Sequence, residues 1–210
     1  MIELFSSALI TFLVIIDPPG CAPIFASLTR GAPVAHRRAM ALRSSLIAWG
    51  ILMFFALLGR PMLGALHISL ASFRIAGGIL LFYIAVDMIF ERRTERREKR
   101  AHEIEGTPEA EDISVFPMAI PMITGPGSIA SAMLWVSRAE GPVEVITVLA
   151  AITVVMMITA VTLLAAGPLM RLIGEKVEAM ITRILGVILA ALAAQFVVDG
   201  LKQSFPHVLA

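Results

Sequence analysis

The sequence predicts an all-α membrane protein of six transmembrane helices, arranged as two inverted three-helix repeats with helices 1 and 4 broken. Three observations lead there. The chain is 58% hydrophobic and 16% charged, with a mean hydropathy of +0.88, more apolar surface than a soluble domain of this size could hide. Its charges are segregated, leaving long stretches with almost none. Two helix-breaking clusters, Asp17-Pro18-Pro19-Gly20 and Thr124-Gly125-Pro126-Gly127, fall inside apolar segments about 107 residues apart. Proline lacks the backbone donor and its ring clashes with the preceding turn. In hydrocarbon, such a break survives only when buried in protein or lining a wet cavity.

A helix needs about 20 mostly apolar residues to cross the bilayer core. Six segments qualify, roughly 4–28, 43–62, 71–90, 113–136, 143–168 and 181–201. The first is preceded by no Lys or Arg, contains Glu3, and stays apolar beyond any cleavage point, so it reads as a permanent span rather than a signal peptide. Arg60 and Pro61 are expected to close the second. The third opens with Arg74-Ile75-Ala76-Gly77-Gly78-Ile79-Leu80 and the sixth with Arg183-Ile184-Leu185-Gly186-Val187-Ile188-Leu189, so that Arg, Ile, Gly, Ile and Leu coincide at a spacing of 109. With the two breaks at nearly that offset, a duplication follows. Three spans per half is an odd number, so the halves cross in opposite directions, an architecture found in many secondary transporters.

The expected organisation is a first repeat at 1–90, a charged cytoplasmic linker at 91–112 and a second repeat at 113–210. The linker carries both signs of charge with Gly106 and Pro108, and reads as solvated; Glu95 and Lys99 have the spacing of a helical ion pair. Arg30, Arg37, Arg38, Arg43, the basic group at 92–100, Arg171, Lys176 and Arg183 outnumber Arg60, Arg74, Arg138 and Lys202 on the alternate loops. The positive-inside rule then places the richer set in the cytoplasm and both termini outside.

Several functions are disfavoured. A net charge of +1 gives no case for nucleic acid. The single cysteine, Cys21, excludes an intramolecular disulfide and a cysteine metal cluster. His36, His67, His102 and His207 lack zinc-motif spacing, so neither a metal nor a cofactor is expected. Gly-x-x-x-x-Gly-Lys, Gly-x-Ser-x-Gly and His-Glu-x-x-His are all absent, so ATP is not the direct drive and no enzyme activity is expected.

The candidate site lies at the two breaks. At 1.5 Å per residue, Asp17 and Gly125 both fall near the bilayer centre. Asp17 is a preferred N-cap type and Pro18 suits the first helical position; Thr124 or Gly125 could cap similarly ahead of Pro126. Each cluster would start a half-helix whose amides favour an anion or carboxylate. Gly20 and Gly127 would allow close approach of a ligand, with Pro19, Pro23, Ser128 and Ser131 nearby. Asp17 is a carboxylate at costly depth. It would cap its own half-helix, bind a cationic group, or carry a coupling proton. In one geometry the Thr124–Ser128 turn takes a carboxylate and Asp17 an ammonium, suiting a zwitterion. Secondary polar candidates are Arg74 and Arg183 as interfacial anchors, Asp87 and Asp199 near span ends, and Gln195 as an interhelical bonding group.

Asp17-Pro18-Pro19-Gly20 with Pro23, Phe73-Arg74-Ile75-Ala76-Gly77-Gly78, Phe116-Pro117-Met118-Ala119-Ile120-Pro121 with Thr124–Gly127, and Gln195-Phe196 through Asp199-Gly200 together resemble the MarC family over essentially the whole chain. The resemblance implies a six-span inner-membrane protein of bacteria, grouped with LysE-type exporters of amino acids and other small solutes. The expectation is therefore a multi-pass inner-membrane secondary transporter exporting a small polar or zwitterionic, amino-acid-like solute. Its partners would be the lipid bilayer, the solute, a coupling proton and further copies of itself; a passive channel or lipid-handling protein is the alternative.

Overall fold

A computed structural model of the chain describes residues 1–104 and 112–205. Gly106, Pro108 and His207 lie outside the described residues. Helix α1 (Ile2–Ile16) and helix α2 (Pro18–Leu28) form one 27-residue span interrupted at Asp17. Helix α3 (Val34–Ala65) begins earlier than expected and runs through Arg60 and Pro61 instead of ending there. Helix α4 (Leu70–Ile89) is started by Ser69, whose hydroxyl accepts from the Ser72 amide at 3.1 Å, an ordinary N-cap. It stops at Phe90 and Glu91, the latter at φ 61, and the chain turns directly into helix α5 (Arg92–Ile104).

The fourth apolar segment is the least regular. Ser114–Ile123 is wound with wide turns: the Met118 amide bonds the Ile113 carbonyl and the Thr124 amide the Ala119 carbonyl. Phe116 and Ile120 are extended, each ahead of a proline, as sterics before proline require. Helix α6 (Pro126–Arg138) leaves this segment at a bend of 59°. Helix α7 (Pro142–Leu164) follows, and Ala165 alone separates it from helix α8 (Ala166–Ser204), which is broken at Gly174 (φ 73) so that its membrane-length part is Lys176–Ser204. Among the described residues, five helical spans are long and apolar enough to cross a membrane, or six when the bent pair counts as one.

Burial separates the broken spans from the others. In Ile2–Leu28, 72% of the most apolar window is buried, against 33% or less in the other four unbent spans. Helix α6 is also buried along nearly its whole length, from Gly127 to Ser137. Helices α3, α4, α7 and α8 instead expose Leu46, Phe54, Ile79, Ile146, Val161 and Val187, as lipid-facing helices do. The first break and helix α6 thus sit inside the bundle, surrounded by protein rather than lipid, while Phe116, Ile120 and Pro126 of the second broken segment are exposed.

Helices α4 and α8 pack antiparallel at close range. A Cβ on Gly78 would come within 2.8 Å of the Ala193 carbonyl oxygen, one on Gly186 within 3.1 Å of Ala85, and one on Gly200 within 2.9 Å of Ala71. Small residues are what permit two membrane helices to approach this closely.

Candidate functional site

Asp17 terminates one half-helix and starts the next. Its amide bonds the Leu13 carbonyl at 3.0 Å, closing α1, while its Oδ1 accepts from the Gly20 amide at 3.2 Å, capping α2. It does both at φ 56, a left-handed conformation that Asp tolerates better than most residues. Pro18 and Pro19 open α2 as its first two residues, and Pro23 lies inside it, partly buried. The space over Gly20 is filled by protein: an added Cβ would meet Asp17 Oδ2 at 2.1 Å and Arg97 Nη1 at 2.8 Å.

Arg97 links the two breaks. It belongs to α5, the segment that composition alone assigns to solvent, yet only 6% of it is exposed. Its Nη1 donates to Asp17 Oδ2 at 3.0 Å, and its Nη2 lies 3.4 Å from the carbonyls of both Ile16 and Met122. Those carbonyls end the half-helices ahead of each break, where helix geometry leaves acceptors unpaired and partial negative charge accumulates. One turn earlier, Arg93 Nη2 donates to the Ile15 carbonyl at 2.6 Å. The expected solvated linker is therefore, over 92–104, a helix that inserts arginines against the centre of the bundle. The physical reason is that a break frees carbonyls, and a guanidinium can satisfy several of them together.

Opposite Arg97, the Thr182 hydroxyl lies 3.3 Å from Asp17 Oδ1 and 3.1 Å from Glu178 Oε1. It has one proton and so donates to one carboxylate at a time. Asp17, Thr182 and Glu178 are all buried. The Cys21 thiol is fully buried beside them, 3.6 Å from the Ile16 carbonyl.

The second break uses its hydroxyls differently from the expectation of a carboxylate cradle. Thr124 Oγ1 donates to the Ala119 carbonyl at 2.6 Å and Ser128 Oγ to the Ile123 carbonyl at 2.9 Å. Gly125 is the N-cap of α6 and supplies no side-chain bond, with Pro126 next. Gly127 is packed under Ile84, whose Cδ1 would lie 2.4 Å from an added Cβ. In this conformation these polar groups are engaged within the protein.

The secondary residues divide by end. Asp87 is nearest the breaks, paired with Arg96 at 2.7 Å. Arg183 pairs with Glu91, and Arg43 with Asp112, at the same end of the molecule. Arg74 donates to Gln203 at 2.9 Å, while Arg138 pairs with Asp199 at 2.5 Å and Gln195 donates to the same Asp199. That second group lies at the other end and is not brought to the breaks. Sequence reasoning missed Arg93, Arg97, Glu178 and Thr182. Its one usable signal was the Arg93, Arg96, Arg97, Arg100 spacing, which sets four arginines on one helical face.

This arrangement defines a multi-pass integral membrane protein with two mutually connected helix breaks. The chain belongs to the MarC family of integral membrane proteins, whose profile matches residues 2–205. It is 35% identical over 203 residues to a UPF0056 membrane protein of Archaeoglobus fulgidus, spanning 96% of this chain and 94% of that one. The UPF0056 membrane protein YhcE of Escherichia coli is 34% identical over 195 residues, covering 93% and 90% of the two chains. The UPF0056 inner membrane protein YhgN of the same organism is 33% identical over 202 residues, covering 96% and 98%. No solved structure matches the chain.

Proposed function

We propose that this protein is an inner-membrane secondary transporter that exports a small polar solute through a site between its two broken helices. The observation that carries the reading is Arg97, which reaches the ends of both interrupted half-helices and the buried Asp17 together. A side chain of α5 thus spans the two breaks, and its withdrawal would open the space between them.

The halves 1–90 and 113–210 are read as inverted repeats. Arg74 and Arg183 occupy matching positions, and each reaches the far end of the other repeat's third helix, at Gln203 and Glu91. Rocking one half against the other would expose the centre alternately to each side. With the basic loops inside, both termini face outward, and α5 closes the cytoplasmic side. A zwitterionic solute would present its ammonium to Asp17 once Arg97 withdraws, and its acidic group near Gly125 and Pro126. Asp17, or Glu178 across Thr182, would carry a coupling proton.

Reconstitution tests this directly. In proteoliposomes, a pH gradient should drive accumulation of labelled solutes from an amino-acid pool, and Asp17→Asn should abolish the dependence on the gradient. Flux indifferent to both the gradient and Asp17 would favour the passive channel or lipid-handling alternative. Proton flux without solute movement would remove the zwitterion.

A further inference from the structure

Helix α5 sorts its charges by face. Glu95 and Glu98, with Glu91 just ahead of the helix, turn toward Pro23 and Glu178, lining one cleft. Arg93, Arg96, Arg97 and Arg100 line a different cavity of about 320 Å³, together with Asp87 and the Gly125–Pro126 start of α6. The carboxylates nearest in sequence are thus directed away from the arginines.

The cavity's charges do not balance. Arg96 has Asp87 at 2.7 Å and Arg97 has Asp17 at 3.0 Å. Arg93 is held by the Ile15 carbonyl and the Met88 sulfur, both neutral. Among the described residues Arg100 makes no ion pair. Among the described residues, two guanidinium groups therefore line the space without a carboxylate in direct contact. Burial, with Arg97 beside it, pushes Arg93 down to about 10 against the opposing pull of Asp17 and Asp87. The wall completing the cavity is a helix N-terminus with no side-chain cap, whose field also favours negative charge. A lining that is cationic and rich in planar donor forks suits phosphate and carboxylate groups. The volume lies at the small end of ligand cavities.

We propose that this cavity is an anion subsite, receiving the acidic group of the solute, a phosphate or a carboxylate. The proposal rests on the transporter reading for its purpose, since it names the class of solute, but its existence is testable by binding alone. Arg93 and Arg100 are the receiving side chains, and Arg96 and Arg97 hold the cavity wall through Asp87 and Asp17.

Equilibrium binding of radiolabelled inorganic phosphate and of succinate to the full chain in detergent tests it. The expected result is saturable binding of at least one, weakened about tenfold or more by Arg100→Gln, the loss of one charge-assisted hydrogen bond. Arg100 is exposed, so this variant should fold normally; Arg93→Gln should act in the same direction. Arg60→Gln, which lines none of these clefts, should leave binding unchanged. Repeating the measurement in phosphatidylcholine nanodiscs with and without phosphatidylglycerol separates the sources. Competition by phosphatidylglycerol assigns the site to a lipid headgroup, and its absence to a free solute. No saturable binding at millimolar concentrations overturns the proposal, as does binding untouched by both arginine variants. Binding without any transport would sink the transporter reading and leave the subsite standing; transport without anion binding would do the reverse.

Discussion

The two helix breaks solve one problem in different ways. At the first, Asp17 closes α1 with its amide and caps α2 with its carboxylate, and the halves remain aligned well enough to count as one span of 27 residues. At the second, no side chain caps α6, the preceding segment winds irregularly, and the halves diverge by 59°. That span itself contains no Asp or Glu; Asp112, just ahead of it, accepts from the Ser114 amide at 3.0 Å. A carboxylate at a break heals it in place. A break without one bends and opens onto a cavity. The asymmetry gives the centre a carboxylate at the first break and an uncapped helix start at the second, with Arg97 reaching both.

The largest expected effect comes from removing the carboxylate that does two jobs. Asp17→Ala leaves Arg97 buried without its partner and α2 without its cap, and should cost about 3–5 kcal/mol of stability, read as a fall in thermal unfolding temperature in detergent. Arg97→Ala should cost a comparable amount. The double variant should be less unstable than the two losses added, because the second deletion removes a group already orphaned. Additive losses would mean that the ion pair does not couple the breaks.

Gly20→Ala comes next. Its methyl would overlap Asp17 Oδ2, so the carboxylate must move, at about 1–3 kcal/mol as for other overpacked sites. Thr124→Val at the second break removes one hydroxyl bond to Ala119 and should cost only about 1 kcal/mol. Comparable losses at the two breaks would erase the distinction drawn between them.

The smallest effect is at the entrance to the second broken span. The Ser114 hydroxyl, with the Ser114 amide and Arg43 adding to it, holds the Asp112 carboxyl below the usual carboxylate range. A lowered acid stabilises the fold above its unfolded pKa, about 3.9, and loses that contribution as pH falls through the lower folded value. The stability difference between the native chain and Asp112→Asn should therefore be present at neutral pH and fade below about pH 4. A difference that persists in acid would show that Asp112 acts through shape rather than charge.

Much of this architecture is legible in the sequence, for reasons that separate by residue. The helix breaks are local: Asp17-Pro18 and Gly125-Pro126 carry their own backbone chemistry, and the structure places the N-caps at Asp17 and Gly125. Apolar length gives the spans, though not the extension of α3 through Pro61, since hydropathy says little about where a helix stops after leaving the bilayer. The role of α5 was not legible from composition. A run of arginines and glutamates reads as solvated because exposed charge is the usual outcome. Only the fold shows that carbonyls freed by two distant breaks need a donor in common. Thr182 and Glu178 were missed for a similar reason: they meet Asp17 across 165 and 161 positions of chain, and no local pattern marks such a meeting.

The sole cysteine reports on the first break. Cys21 is fully buried, one position beyond the Asp17–Gly20 cluster and near Arg97. Labelling it with a small membrane-impermeant thiol reagent, in right-side-out and inside-out vesicles, asks whether the centre opens to water. With alternating access, the native chain should label slowly, Arg97→Ala should label faster from the cytoplasmic face, and solute should change which face reacts. A thiol silent from both faces in the native chain and in Arg97→Ala, yet reactive after denaturation, would mark the breaks as packed kinks and contradict a transport site between them.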